Sequence, residues 1–264
     1  MSNLLEEESW RDVASLLQRR PVVIVPTGSV EQHGPHLPLG TDAILTAAIA
    51  GRVADVATAE GTPVVVTPTV WTGFSPHHMR FAGTISLDLS AFEQVVTQVV
   101  ASLWAHGFRK IFVLNGHGGN SNALRATVQQ LRFGREIRVA VADYWAFASA
   151  YLPGWRESGL GGIDHACEME TALMLAVRED LVRKDEVRDA LWQPRSRFLS
   201  GDLTVGGPVS VAWDLAELNG DGAAGAPQYA TMDRGRSLLE HIVGEIGAFV
   251  SEFRDWDWET PRSI

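Results

Sequence analysis

Four runs of aliphatic, mostly β-branched residues recur along this chain: "PVVIVPTG" (21–28), "PVVVTPTV" (63–70), "KIFVLNG" (110–116) and "IRVAVADY" (137–144). Each is short and too uniformly apolar for a strand with one wet face, so each reads as a strand buried on both faces. Between them the apolar period predicts helices over 42–58, 89–106 and 120–133, with two more over 168–177 and 232–253. Strand, helix, strand with short connections is the signature of a largely parallel sheet covered by helices on both faces. The expected class is therefore α/β, with residues 1–264 as one domain. Residues 194–228 are rich in Gly and Pro with little periodicity, which predicts long loops with room for a hairpin.

Composition narrows the setting. The chain has 264 residues, 45% of them hydrophobic, enough for a sizeable core. No apolar run approaches the ~20 residues that cross a bilayer, and the acidic start "MSNLLEEESWRDV" lacks the build of a signal peptide. A single cysteine, Cys167, excludes an internal disulfide framework. A formal net charge of −10 argues against a nucleic-acid or anionic-membrane surface. These features predict a cytoplasmic protein whose partner is a small molecule, with no nucleic acid and no membrane.

The polar loops fall in one place. "GSVEQHG" follows the first strand, "WTGFSPHH" the second and "NGHGGN" the third, and such segments converge at the carboxyl edge of a parallel sheet, where ligands bind. "GSVEQHGPHLPLGTD" (28–42) holds two histidines and two carboxylates without one Lys or Arg. Glu31 and His33 stand two apart and face the same way if the loop is extended. Asp42 opens a helix pattern, and taken alone it reads as a helix cap. His117 lies between glycines that let backbone approach a bound group. Downstream, in "GIDHACEMETALMLA", a helix beginning near His165 would put His165 and Glu168 on one face and turn Glu170 away. Glu170 then reads as a structural carboxylate, His36 as a packed histidine, and His77 with His78 as a solvated pair. Together Glu31, His33, Asp42, His117 and Glu168 offer two imidazoles and three carboxylates, a mixture suited to Zn²⁺, Mn²⁺ or Fe²⁺. Five donors exceed one closed tetrahedron; two ions about 3.5 Å apart, sharing Asp42, would use them all.

"VPTGSVEQHGPHLPLGTD", "FAGTISL", "NGHGGNSNAL", "DHACEMETALML" and the later "GAPQYATMDRGRSLLEHIV" resemble the creatininase family in nearly their usual order and spacing. The resemblance runs from about Val22 to Val243. It implies a three-layer α/β/α fold, a dinuclear centre of two divalent ions per subunit, hydrolysis of amide-like C–N bonds, and a homohexamer. It also implies Glu31, His33, Asp42 and His117 as ligands, with Asp42 bridging. In the family's namesake enzyme a tyrosine and a metal-binding glutamate follow "NGH", where this chain has Gly118 and Gly119. Family members with "NGHGGN" resemble this chain in taking the missing carboxylate from downstream, which points to Glu168.

Such a pair of ions would make hydroxide available near neutral pH. The leaving nitrogen of an amide needs a proton, a role the resemblance gives to His165 and an ordinary imidazole fits. Glu168 is expected beside it at the catalytic centre. Gly118 and Gly119 could steady an oxyanion through their amides, and His78 and Trp145 are candidates for shaping the substrate pocket. A cyclic amide is the first substrate class. A cyclic ketone or polyol opened at a ring C–C or ester-like bond is the alternative, and a non-catalytic metal-binding protein is the remaining one. A serine or cysteine hydrolase using Ser75 or Cys167 lacks a nucleophile elbow.

Overall fold

A computed structural model describes residues 2–257. In chain order, α1 (Trp10–Leu17), β1 (Val22–Thr27), α2 (Thr41–Ala59), β2 (Val64–Val66), α3 (Leu89–Ala105), β3 (Lys110–Asn115), α4 (Ser121–Arg135) and β4 (Ala140–Asp143) form the first part. A short α5 (Leu152–Trp155), β5 (Ile163–His165), α6 (Glu168–Arg178), a short α7 (Leu215–Leu218), β6 (Ala224–Gly225) and α8 (Met232–Asp255) follow. No helix among the described residues is long and apolar enough to cross a membrane.

The sheet has the order β2-β1-β3-β4 and every pairing in it is parallel. Alternate side chains supply the two cores, as period-two alternation requires. Val22, Ile24, Val64, Val66, Phe112 and Leu114 pack towards α2, α6 and α8. Val23, Val25, Val65, Ile111 and Val113 pack towards α3 and α4 through Phe92, Val96, Val100, Leu124 and Leu131. These are the three layers that the family resemblance implies. β4, expected to be buried on both faces, is only half-buried over Ala140–Ala142. It is the edge strand, so one side lacks a neighbour. The expected hairpin over 194–228 is not formed; that stretch holds α7, and its end gives β6, which pairs antiparallel with β5.

Strand order positions the site. From β1 the chain crosses through α2 to β2 on one side, while β3 lies on the other side. The loops leaving β1 and β3 therefore part at a topological switch point, where the carboxyl ends of open α/β sheets form a crevice. Gly28 closes the turn out of β1, and a Cβ there would lie 2.7 Å from the Ala43 backbone, so only glycine lets the start of α2 come back this close.

Candidate active site

The loop after β1 is fixed by its own backbone. The Glu31 amide donates to Leu39 O (2.9 Å) and the Ile85 amide to Val30 O (2.8 Å), while Gly34 turns at φ 61°. Glu31 and His33 consequently emerge together, and Asp42 enters from the first turn of α2; all three are buried. His117, buried as well, comes from the end of β3. His117 Nδ1 lies 3.2 Å from Glu31 Oε1 and 3.1 Å from Asp42 Oδ2, and His33 Nε2 lies 3.0 Å from Asp42 Oδ1. Asp42 thus turns one oxygen to each histidine. Its role is not that of the helix cap suggested by sequence position alone: Gly40 holds that place, and the Asp42 side chain points into the cluster.

The fifth donor is not the one expected. Glu170 Oε1 lies 3.8 Å from His33 Nε2, and His33, Asp42 and Glu170 form one compact group of ligand atoms, beside a second of Glu31, Asp42 and His117 and a third of Glu31, His33 and His165. Glu168 is turned away and fully buried. Its oxygens accept from the amides of Glu157 (2.8 Å) and Ser158 (3.0 Å) and from Ser158 Oγ (2.5 Å), and its Oε1 lies 3.4 Å from the Arg234 guanidinium. The expectation placed the helix start near His165, but His165 ends β5 and α6 begins at Glu168. Between them Ala166 takes φ 50°, a left-handed turn that alanine seldom adopts, and Cys167 becomes the N-cap. On α6, Glu168 and Glu170 stand about 200° apart, so only one can face the site. Glu170 Oε2 accepts from the Cys167 amide (3.3 Å), leaving Oε1 to the cluster.

Second contacts set the ring orientations. His117 Nε2 lies 3.1 Å from both Phe74 O and Ser75 Oγ, so it donates there and Nδ1 is the nitrogen turned to the carboxylates. A Cβ at Gly119 would sit 2.4 Å from both His117 Nε2 and Phe74 O, so this contact requires glycine at 119. His33 Nδ1 donates to Glu31 O (3.1 Å), which leaves Nε2 turned to Asp42 and Glu170. His165 Nε2 donates to Gln32 O (2.7 Å), and its Nδ1 lies 3.9 Å from Glu31 Oε1. His78 is no solvated residue: it is buried, accepts from Gln32 Nε2 at Nδ1 (2.8 Å) and approaches Glu31 Oε1 with Nε2 (3.2 Å). Gln32, unremarked in the sequence, also donates to Gly222 O (2.8 Å) and so ties the loop to the far side of the site. His36 is packed as expected, with Nε2 3.0 Å from Thr171 Oγ1. Ser75 is fully buried and paired with Ser29 Oγ at 2.6 Å, and Cys167 is buried, so neither is presented as a nucleophile.

The electrostatics are those of a site short of positive charge. Burial opposes a charge on His33 and His117, yet the neighbouring carboxylates more than offset it: His33, beside Asp42, is raised well above an ordinary imidazole, and His117, beside Glu31, is raised to about 10. Burial pushes His165 below the usual value, and His33 adds to that. His78 is lowered by burial and then by His165. Glu31 Oε2 makes no hydrogen bond although it is buried, and Asp42 Oδ2 has only His117 Nδ1, at 3.1 Å, beside it. Orphaned buried carboxylate oxygens are costly. Three carboxylates and two imidazoles with lone pairs turned inward are what divalent transition ions require, and the donor set fits two ions that share Asp42.

A cavity of about 580 Å³ opens on this cluster. Trp145, Gly118, Gly119, His78 and His165 line it, together with Phe74, Asp164, Leu203, Trp213 and Leu215. Among the described residues, no Lys or Arg lines it. Trp155 is a core residue that donates to Arg234 O (3.0 Å).

The family model for creatininase, described as creatinine amidohydrolase, matches residues 6–250. The mycofactocin precursor peptide peptidase of Mycolicibacterium smegmatis is 35% identical over 226 residues, 84% of this chain and 81% of that protein. The creatinine amidohydrolase of Pseudomonas putida is 30% identical, covering 93% and 95%. The 3-dehydro-scyllo-inosose hydrolase of Thermotoga maritima is 36% identical, covering 78% and 66%. A solved manganese creatininase superposes with a TM-score of 0.80 at 27% identity, covering 97% of this chain and all of the other. The Zn–Zn form of a creatininase variant gives 0.79 at the same identity and coverage. The chain belongs to the creatininase family of hydrolases.

Proposed function

We propose that this protein is a dinuclear metal-dependent hydrolase that cleaves an amide-like C–N bond of a small substrate with no anionic anchor. The observation that carries the reading is the pair of donor groups meeting at Asp42 beside a cavity with no Lys or Arg among its described lining residues. Glu31, Asp42 and His117 would hold one divalent ion, and His33, Asp42 and Glu170 would hold the other. The solved Mn and Zn–Zn creatininases make manganese and zinc the first metals to try. When bound, the ions supply Lewis acidity, activating water and polarising a carbonyl.

The remaining chemistry belongs to the chain. His165, its Nε2 proton committed to Gln32 O, presents a neutral Nδ1 to the site, where it takes a proton from the attacking water and returns it to the leaving nitrogen. Its lowered pKa favours this base-then-acid order over the ready-charged acid expected from an ordinary histidine. His78 holds Glu31 in place, and Trp145 and Trp213 give the substrate apolar walls. With no Lys or Arg among the described lining residues, no side-chain cation pairs with a substrate carboxylate or phosphate away from the ions, which favours neutral amides. The Thermotoga relative gives weight to a second reading, attack on the carbonyl of a cyclic ketone by the same groups.

The proposed assembly is the homohexamer that the resemblance implies. Exposed Trp71, Met79 and Phe133 are available as interface anchors. The test of function is hydrolysis by Zn- and Mn-loaded protein of cyclic amides, short peptides and cyclic ketones. Metal-dependent turnover of an amide supports the reading. Turnover that survives complete chelation, or occurs only with ketones, refutes its C–N form.

A further inference from the structure

At the opposite end of the sheet lies a second cavity, of about 660 Å³, within the ~300–1,000 Å³ range of small-molecule pockets. It opens where α1 turns into β1, α3 into β3 and α4 towards β4, with the end of α8 closing one side. β1 and β3 are six residues long, so about 20 Å of strand separates it from the Glu31–His117 cluster. Arg20, Arg109, Lys110, Arg132 and Arg138 line it, five of the chain's 22 Lys and Arg residues in a protein of net charge −10. Among the described lining residues Glu136, Asp255 and Asp257 are acidic, which leaves the cations in excess.

Some of this charge serves the fold. Helix C-termini favour a nearby cation, and Arg109 answers that need by donating to Trp104 O (2.8 Å) and Phe108 O (3.0 Å) while stacking 4.4 Å over the Trp104 ring. Lys110 donates to Trp256 O. Arg20 and Arg138 do neither: they lie outside the helices, and among the described residues their guanidinium groups meet no carboxylate or carbonyl partner. Like charges gathered in one concavity repel unless an anion joins them, and guanidinium forks match phosphate oxygens.

We propose that this cavity is an anion site for a small phosphate-bearing ligand, separate from the hydrolytic centre and held by Arg20, Arg132 and Arg138. The test is calorimetric titration of the metal-loaded protein with inorganic phosphate at low ionic strength. Arg20→Gly is the informative variant, because Arg20 already sits at φ 53°, where glycine is favoured, so charge is removed without strain. Saturable binding is expected, weakened about tenfold by Arg20→Gly and by Arg138→Gln, the factor that a loss of ~1.4 kcal/mol gives. Arg178→Gln, a surface pair with Asp180, should leave it unchanged. Absence of saturable binding overturns the proposal. So does binding that both cavity substitutions leave intact, since the ion then sits elsewhere, the metal centre included.

Discussion

Glu168 and Glu170, two residues apart on one helix, should fail in opposite ways when each is replaced by glutamine. Glu168 Oε1 accepts from the Glu157 amide, and Oε2 from the Ser158 amide and hydroxyl. In Glu168→Gln one acceptor oxygen becomes a donor NH2. The Ser158 hydroxyl can rotate to accept from it, but the buried Ser158 amide is left facing another donor. An orphaned buried amide costs about 1–3 kcal/mol, and losing the charge of the remaining bonds adds a comparable amount. The sum is about 3 kcal/mol, which in a chain of this size lowers Tm by roughly 6–12 °C. Metal content should stay at the wild-type value. Glu170→Gln keeps an oxygen for the Cys167 amide and loses a charged ligand, so one ion should bind more weakly while the Tm of the chelated protein barely moves. Thermal unfolding with and without chelator, beside elemental analysis of dialysed protein, reads both quantities. The reasoning is refuted if Glu168→Gln empties a metal site at unchanged Tm, or if Glu170→Gln retains full occupancy.

Three further outcomes follow from the geometry. His165→Ala should retain its metals and lose ~10²–10⁴-fold in kcat, less for substrates with activated leaving groups; loss of an ion in this variant would make His165 a ligand instead. In chelated protein, His117 titrates at about 10 when folded against ~6.5 unfolded, so its contribution to stability is complete below ~6.5 and disappears as pH rises through about 10. Tm of the chelated protein should therefore fall over that window, and a flat profile would contradict the assigned contacts. Gly119→Ala pushes a Cβ against His117 Nε2 and Phe74 O, so it should weaken the ion held by His117, as metal titration would show.

The strands were legible because β1, β2 and β3 are buried on both faces and so are written as unbroken aliphatic runs. Glu31, His33, Asp42 and His117 were legible for a related reason: they leave the carboxyl ends of adjacent parallel strands, and topology alone brings such segments together. Glu170 was not, because its approach depends on Ala166 at φ 50°, and no residue type there announces a left-handed turn. With His165 placed on the helix, its face selects Glu168; with His165 on β5, that inference disappears. Gln32 was obscured because its hydrogen bond to His78 joins segments 46 residues apart. Tertiary pairing of this kind leaves no local period to read.

The central claim is that two ions sit on either side of Asp42, and anomalous diffraction from crystals of the zinc-loaded protein tests it most directly. The account predicts two anomalous peaks flanking the Asp42 carboxylate, one reached by Glu31 and His117 and the other by His33 and Glu170, with Glu168 at neither. A single peak after saturation with zinc, or a peak bonded to Glu168 in place of Glu170, would contradict it.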